Sequence, residues 1–310
     1  MSPADAHFTP RRSRRFIGPL FGFACMVETL TGVVVLAILL GAVIAAVARV
    51  DDTRLATPGE IASLLARLAR STRSSDPELA GFKVGIAGSL WLLGIVFSTA
   101  IPIGVGAAVF LEEYAPPGRL RRLIQTNIAN LAAVPSIVYG ILGLAVFVRG
   151  LGLPGWKYSP ALWAGGLTLS LLVLPVVVIA TQEALRTVPN SLRQAALALG
   201  ATKWQVIRDH VLPSSLPGIL TGAILALSRA IGETAPLLMV GAAASISRMP
   251  RGLKSRFTAL PVEIYNFAKE PNPRFQVVAA GGIVLLLSLL LTMNAAAILI
   301  RNRYGRTARG

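Results

Sequence analysis

The chain has 310 residues, 30 Lys+Arg against 14 Asp+Glu, a formal net charge of +16, 54% apolar residues and only 14% charged ones. Soluble domains carry about 25% charged residues, so this composition excludes an ordinary soluble enzyme, a disordered tail and a fibrous protein. Cys25 is the single cysteine, His7 and His210 stand far apart, no GxxxxGK[ST] run is present, and the cations are spread between apolar stretches rather than gathered in one stripe; disulfides, a metal centre, an ATP-binding loop and a nucleic-acid footprint all lack their residues.

A helix needs about 20 mostly apolar residues to cross a bilayer, and six windows reach that length. The first, Thr29–Ala48, follows the cluster Arg11-Arg12-Ser13-Arg14-Arg15. Ser13-Arg14-Arg15-Phe16 with Ala46-Val47-Ala48 resembles a signal peptide, even a twin-arginine one. The apolar region runs from about Phe16 to Ala48, however, longer than the usual ~7–15-residue signal core. An uncleaved first transmembrane helix over 21–48 behind a basic cytoplasmic N-terminus, 1–20, is the better reading. Glu28, near the start of that span, reads as a snorkelling interfacial charge. In the outer segment 49–83, Pro58-Gly59-Glu60 followed by Ile61, Leu64, Leu65 and Leu68 predicts a short amphipathic surface helix.

The second window is Val84–Leu111. Glu112, Glu113 and Tyr114-Ala115-Pro116-Pro117 after it read as a solvated cytoplasmic turn, with contact to an ATPase as the alternative. The third window, Leu123–Val148, carries Asn127, Asn130, Pro135 and Ser136 on a polar side that either lines a pore or bonds neighbouring helices. The fourth is Tyr158–Gln182.

The stretch 183–217 is the most informative polar segment. Asn190 or Ser191 is placed to cap a helix through Leu192, Ala195, Ala196 and Leu199, and Gly200 to end it. Thr202 starts a second helix with Trp204, Ile207 and Val211 on one face, and Pro213 and Pro217 break the chain before the next span. A DNA-reading helix pair has the same outline, but this pair hangs directly between two apolar windows, which favours protein docking.

The fifth window, Val211–Ser247, is interrupted only by Arg229 and Glu233. An arginine at mid-membrane costs about 2.5–3.5 kcal/mol on insertion scales and marks a pathway or a partner. The spacing i,i+4 puts both side chains on one face. Gly232 and Pro236 bracket Glu233, so a bend there could open a polar pocket. The guanidinium fork suits a tetrahedral oxyanion. Beyond it, 261–276 carries Pro261, Pro271 and Pro273 and reads as an ordered loop before the sixth window, Phe275–Ile300. Lys+Arg counts on the two sides are nearly equal. The tight clusters at 11–15, Arg119/Arg121/Arg122 and Arg301/Arg303/Arg306/Arg309 share one side, which places both termini in the cytoplasm. No internal repeat is evident.

Gln194-Ala195-Ala196, then Gly200, then His210 and Leu212-Pro213 are similar in spacing to the EAA loop of ABC importer permeases. Gln194 stands where that pattern has Glu, and His210 where it has an aliphatic residue. The run Ala133-Val134-Pro135-Ser136-Ile137-Val138-Tyr139-Gly140, the stretch Arg229 to Pro236 with its GETAP run, Leu260-Pro261-Val262 with Ile264-Tyr265, and Asn294 with Arg301-Asn302-Arg303 resemble phosphate ABC transporter permeases of the PstA type, over roughly residues 84 to 303. The resemblance implies a coupling role toward the ATPase for Gln194, Ala195, Ala196, Gly200 and Pro213, and phosphate passage at Arg229, Gly232, Glu233 and Thr234. It also implies a second permease of the PstC type, an ATPase of the PstB type and an extracytoplasmic phosphate-binding protein of the PstS type.

The expectation is therefore an all-α polytopic membrane protein with six transmembrane helices. A permease core spans 84–303 with the EAA loop at 183–217, and a cytoplasmic tail covers 304–310. No catalytic residue, cofactor, metal or nucleic acid is expected. Alternating access would carry phosphate past Arg229 and Glu233 in the plasma membrane of a bacterium or archaeon. Rival readings are a permease for sulfate, molybdate or phosphonate, a self-sufficient secondary transporter or channel, and a membrane scaffold.

Overall fold

The computed structural model describes residues 14–51, 54–55, 57–152, 161–242 and 246–307. The expectations for the basic residues 1–13, the start of the fourth window at 158–160, the stretch 243–245 of the fifth and the tail end 308–310 lie outside the described residues. The chain divides into two units, 1–56 and 57–310.

The first unit holds helix α1 (Arg14–Ala48) and a short antiparallel pair, β1 (Arg49–Asp51) with β2 (Arg54–Leu55). The apolar span within α1 is Phe21–Ala48, with exposed Phe21, Leu30, Leu36 and Leu39. Glu28 falls inside this span rather than at its start, because the helix begins well before the apolar window does.

The second unit shows helices, turns and loops and no strand among its described residues. It runs through α2 (Pro58–Arg70), α3 (Lys83–Val109), α4 (Arg119–Ala132), α5 (Ser136–Gly143), α6 (Leu162–Arg186), α7 (Asn190–Ala198), α8 (Lys203–Val206), α9 (Leu212–Gly232), α10 (Ala235–Val240), α11 (Leu260–Ala268) and α12 (Arg274–Thr307). α2 starts with a capping box in which Thr57 and Glu60 satisfy each other's backbone N–H groups. Helices α3, α6 and α9 form the centre, α10 packs on α5, and α12 lies along α9 and α11. The main core gathers Leu92, Val96, Leu169, Leu172, Val173, Ala226, Leu237 and Phe257. Small residues let α9 approach α6 closely: a Cβ on Gly218 would stand 2.7 Å from that of Ala184, and Gly222 faces Ala180 in the same way. Close backbone approach is how helices gain dispersion energy where lipid removes the hydrophobic drive.

Among the described residues, five helices are long and apolar enough to cross a membrane, or six when one bent pair counts as a single span. That pair is the third window, which the structure shows to be sharply bent. Arg119–Ala132 and Ser136–Val148 meet at 100°. Pro135 causes the break, since it has no N–H for the Leu131 carbonyl four residues earlier. The Val134 N–H (3.1 Å) and the Tyr139 hydroxyl (2.8 Å) donate to that carbonyl instead.

Two expectations are corrected. Pro213 and Pro217 do not break the chain, and helix continues from Lys203 to Gly232. A wide π-turn at Ile207–Val211, in which the Leu212 N–H reaches the Ile207 carbonyl, gives the Pro213 ring room. The Ser215 hydroxyl donates to the Val211 carbonyl (2.8 Å). Much of 261–276 is helix rather than loop. Pro261 sits in the first turn of α11, where a missing N–H costs nothing, and Leu260, Val262, Ile264 and Phe267 are buried.

The close α6–α9 seam predicts that Gly222→Leu lowers the melting temperature of the detergent-purified protein, by a destabilisation of about 1–3 kcal/mol. Gly106→Ala, whose new Cβ would meet nothing within 4 Å, should be neutral or slightly stabilising. Equal melting of Gly222→Leu and the unsubstituted chain would remove the seam as a constraint.

Candidate functional site

At the C-terminal end of α9 the helix stops at Gly232, and Glu233 takes an extended conformation (φ −76°, ψ 121°). Thr234 precedes α10 and its carbonyl accepts from the Leu238 N–H at 3.1 Å. Pro236 lies in the first turn of α10, so it begins a helix here rather than kinking one. The Arg229 Nε donates to Glu233 Oε1 at 3.3 Å, and the two side chains are 40% and 18% exposed. The terminal amines of Arg229 have no hydrogen-bond partner among the described residues, which leaves a planar donor fork open for a bidentate oxyanion. Just before it, the Ser228 hydroxyl donates to Asn294 Oδ1 at 2.6 Å, and nearer the other end Arg301 Nη1 donates to the Thr221 hydroxyl at 3.2 Å. These bonds set the rotation of α9 against α12, and with it the face on which Arg229 stands.

The second polar feature is the helix pair α7–α8. Pro189 occupies the cap of α7, and neither Asn190 nor Ser191 caps it by side chain. The Asn190 side-chain oxygen is taken by Arg193 Nη1 at 3.2 Å, so it is unavailable to the backbone. Gly200 (φ +84°) turns the chain, with the Ala201 N–H returning to the Ala196 carbonyl at 3.1 Å. A side chain at that φ would be strained. Thr202 and Gln205 form a capping box that starts α8. Ala196 is buried among Leu185, Val188, Val206 and Ile207. Gln194, Ala195 and Pro213 are exposed, as are Leu192, Leu197, Leu199 and Trp204, so the pair presents an apolar outer face.

Glu112 and Glu113 are not a solvated turn. Their side chains are only 10% and 9% exposed. The π-turn Phe110–Tyr114 at the end of α3 turns both toward the root of the helix pair. Glu112 accepts from Arg121 (2.7 Å) and Arg186 (2.6 Å), and Glu113 accepts from Arg193 (2.8 Å). Arg193 also donates to the Val188 (2.6 Å) and Leu185 (2.9 Å) carbonyls at the end of α6. One guanidinium thus ties α3, α6 and α7 together. Glu112 and Glu113 mark a charge run whose partners lie 74 and 80 residues away, which local pattern does not reveal.

A third group escaped the sequence reading altogether. Glu263 on α11 is 1% exposed, and both carboxyl oxygens lack a hydrogen-bond partner among the described residues. Burial pushes its pKa up from 4.5 to about 8, against the opposing pull of the Gly85 backbone and the Arg73 guanidinium. Arg73 itself is held by Glu270 at 3.1 Å and lies over the Phe267 ring. Its position within an apolar helical stretch hid Glu263 from a search for charge patterns.

Residues 100–303 match the family of the binding-protein-dependent transport system inner membrane component. The chain is 36% identical over 70% of its length, and 76% of the relative's, to a probable ABC transporter permease protein, YqgI, of Bacillus subtilis (strain 168). It is 37% identical over 69% of its length, and 68% of the relative's, to the phosphate transport system permease protein PstA 1 of Mycobacterium tuberculosis (strain CDC 1551 / Oshkosh). A crystal structure of a bacterial alginate ABC transporter superposes with a TM-score of 0.64 at 16% identity, covering 95% of this chain and 98% of that one, a likeness of fold.

Two outcomes follow. Glu113→Gln strands Arg193 in a half-buried place and should lower stability by about 1–3 kcal/mol, whereas Glu78→Gln, an exposed pair at 4.0 Å, should change melting little. For Glu263, an acid with a raised folded-state pKa stabilises fully below its ordinary value and loses that contribution as pH rises toward about 8. Glu263→Gln should therefore flatten the fall in melting temperature between pH 5 and pH 8.5 and melt higher than the unsubstituted chain at the alkaline end, by on the order of 3 kcal/mol. Parallel pH profiles for the two proteins would contradict this.

Proposed function

The chain belongs to the family of binding-protein-dependent transport system inner membrane components, and on that premise we propose that it is the permease subunit of an ATP-driven importer of inorganic phosphate. The observation that carries the substrate class is the Arg229–Glu233 pair at the helix break, with the Arg229 terminal amines open. The identity to a phosphate transport permease supports phosphate among the oxyanions.

In this reading the pair α7–α8 faces the cytoplasm and docks into a separate ATPase subunit of the PstB type, which hydrolyses the ATP. Gln194, Ala195 and the exposed Leu197, Leu199 and Trp204 form the contact, while Ala196 and Gly200 shape the turn and Pro213 follows it. A second permease subunit of the PstC type completes the path on the exposed side of Arg229. An extracytoplasmic phosphate-binding protein of the PstS type delivers the cargo. Both termini are cytoplasmic, with 1–20 a basic arm and 304–310 a tail, and the membrane is the plasma membrane of a bacterium or archaeon.

The chemistry at the break follows from donors and acceptors. The Arg229 fork attracts a tetrahedral anion, with Gly232 and Thr234 leaving its approach unobstructed. Phosphate near neutral pH keeps a proton, so it donates a hydrogen bond to the Glu233 carboxylate. Sulfate keeps none and is repelled by that carboxylate. Alternating access at this point would pass phosphate and discriminate against fully ionised anions.

The test is labelled phosphate uptake in cells that depend on this chain, with excess sulfate and molybdate as competitors. Uptake should vanish with the chain, resist both competitors and fall at least about 100-fold in Arg229→Gln, the loss of one bidentate charge-assisted contact. Glu233→Gln should let sulfate compete. Chain-dependent uptake of sulfate or molybdate instead would keep the permease and return a different oxyanion as cargo. Transport by the purified chain without any ATPase would overturn the coupling.

A further inference from the structure

The segment between α10 and α11 contains Arg248, Arg251, Lys254 and Arg256, and no Asp or Glu occurs between Glu233 and Glu263. All four cations are exposed. None makes an ion pair or a side-chain hydrogen bond with another described residue. This contrasts with the coupling end, where Arg121, Arg186 and Arg193 each meet a carboxylate.

The loop is nevertheless built. The Leu162 and Trp163 N–H groups at the start of α6 donate to the Ser255 and Leu253 carbonyls, both at 3.0 Å. The Ser255 hydroxyl accepts from the Arg251 (3.1 Å) and Gly252 (3.2 Å) N–H groups. Phe257, directly after Arg256, is buried at 1% exposure in the main core. Arg248, Arg251 and Arg256 line one open cavity of about 850 Å³ together with Ile246, Met249 and Ser255. Like charges held within a Debye length of one another repel, and an anion placed among them relieves that cost. The loop sits at the N-terminal end of α6, opposite the end that leads into the docking pair, and the α6 dipole adds positive potential there.

We propose that this loop is a binding site for a phosphate group, held by Arg248, Arg251 and Arg256 with Lys254 adding charge. Three guanidinium forks match the several acceptor oxygens of a phosphate better than they match one carboxylate. The group has two sources. It is inorganic phosphate gathered at the mouth before it reaches Arg229, or the headgroup phosphate of an anionic lipid, for which the exposed Met249 and Leu253 beside the cations suit the adjoining acyl region. The site stands on the loop's own charge and geometry, and does not depend on the cargo assigned to Arg229.

The test uses the assembled transporter containing the full chain, in nanodiscs, without ATP. The Arg229→Gln background removes the other anion contact, so its loss and the loop's are read separately. In phosphatidylcholine discs, equilibrium dialysis with labelled inorganic phosphate should show saturable, salt-sensitive binding. Adding Arg248→Ala, Arg251→Ala and Arg256→Ala together should weaken it by at least about ten-fold. In phosphatidylglycerol discs, a lipid occupant would abolish phosphate binding. Native mass spectrometry would then find that lipid retained by the unsubstituted loop and lost from the triple variant. If the alanine variant fails to assemble, the triple Arg→Lys variant decides, and should keep the salt-sensitive component while losing affinity. Neither phosphate binding nor lipid retention responding to these substitutions in an assembled complex would overturn the proposal.

Discussion

Hydrocarbon offers no partner to a backbone N–H or C=O, so every interruption of a spanning helix has to be satisfied from within the protein. That constraint organises this chain. At Pro135 the freed Leu131 carbonyl accepts from Val134 and Tyr139. Ahead of Pro213 a π-turn and the Ser215 hydroxyl absorb the misfit. At Glu233 the N–H returns to the Ala230 carbonyl, and the Thr234 carbonyl takes the Leu238 N–H. Breaks are tolerated only where such partners exist, and the polar chemistry gathers beside them. Arg229 and Glu233 flank one break, and Glu112 and Glu113 lie in the π-turn that ends α3.

Much of the architecture was legible because transmembrane length and charge exclusion are strong, local signals. Gly200 and Thr202 were readable for the same reason: a left-handed turn and a capping box depend on residues within a few positions. What escaped reading depends on distant partners. A charge-free window says nothing about direction, so the 100° turn at Pro135 was hidden inside one apolar stretch. Pro213 looked like a stop because a π-turn leaves no compositional mark. Asn190 was a reasonable cap by type, yet Arg193 claims its oxygen. Glu112 and Glu113 resembled a solvated turn until α6 and α7 closed over them. The i,i+4 placement of Arg229 and Glu233 was visible from spacing, but their exposure and the open Arg229 amines came only from packing.

The two functional features share one mechanical element. Helix from Lys203 to Gly232 is continuous over 30 residues, about 45 Å at 1.5 Å per residue. Its first turns belong to the helix pair α7–α8, and its last turn carries Arg229. Small residues seat it against α6, while Asn294 and Arg301 of α12 hold it at Ser228 and Thr221. A rod held in this way transmits displacement as a body rather than dissipating it in side-chain rearrangement. The clamp of Arg193 on Glu113, on the Leu185 carbonyl of α6 and on the Val188 carbonyl just past it anchors the helix pair to the same core. The exposed Leu199–Trp204 face joins the start of this rod through the Gly200 turn and the Thr202 cap.

Charge is distributed unevenly over the second unit, and the unevenness follows the breaks. The net charge of +16 is a property of the whole chain, but its effect is local, because exposed charges are screened beyond about 10 Å. At the α7–α8 end, Glu112 and Glu113 neutralise Arg121, Arg186 and Arg193 and convert them into structural ties. At the break, one carboxylate neutralises one guanidinium through a single nitrogen and leaves the rest of the fork unengaged. At the opposite end of α6 no carboxylate accompanies the four cations at all, while the acid nearest in sequence on the C-terminal side, Glu263, is buried and favours its neutral form near neutral pH.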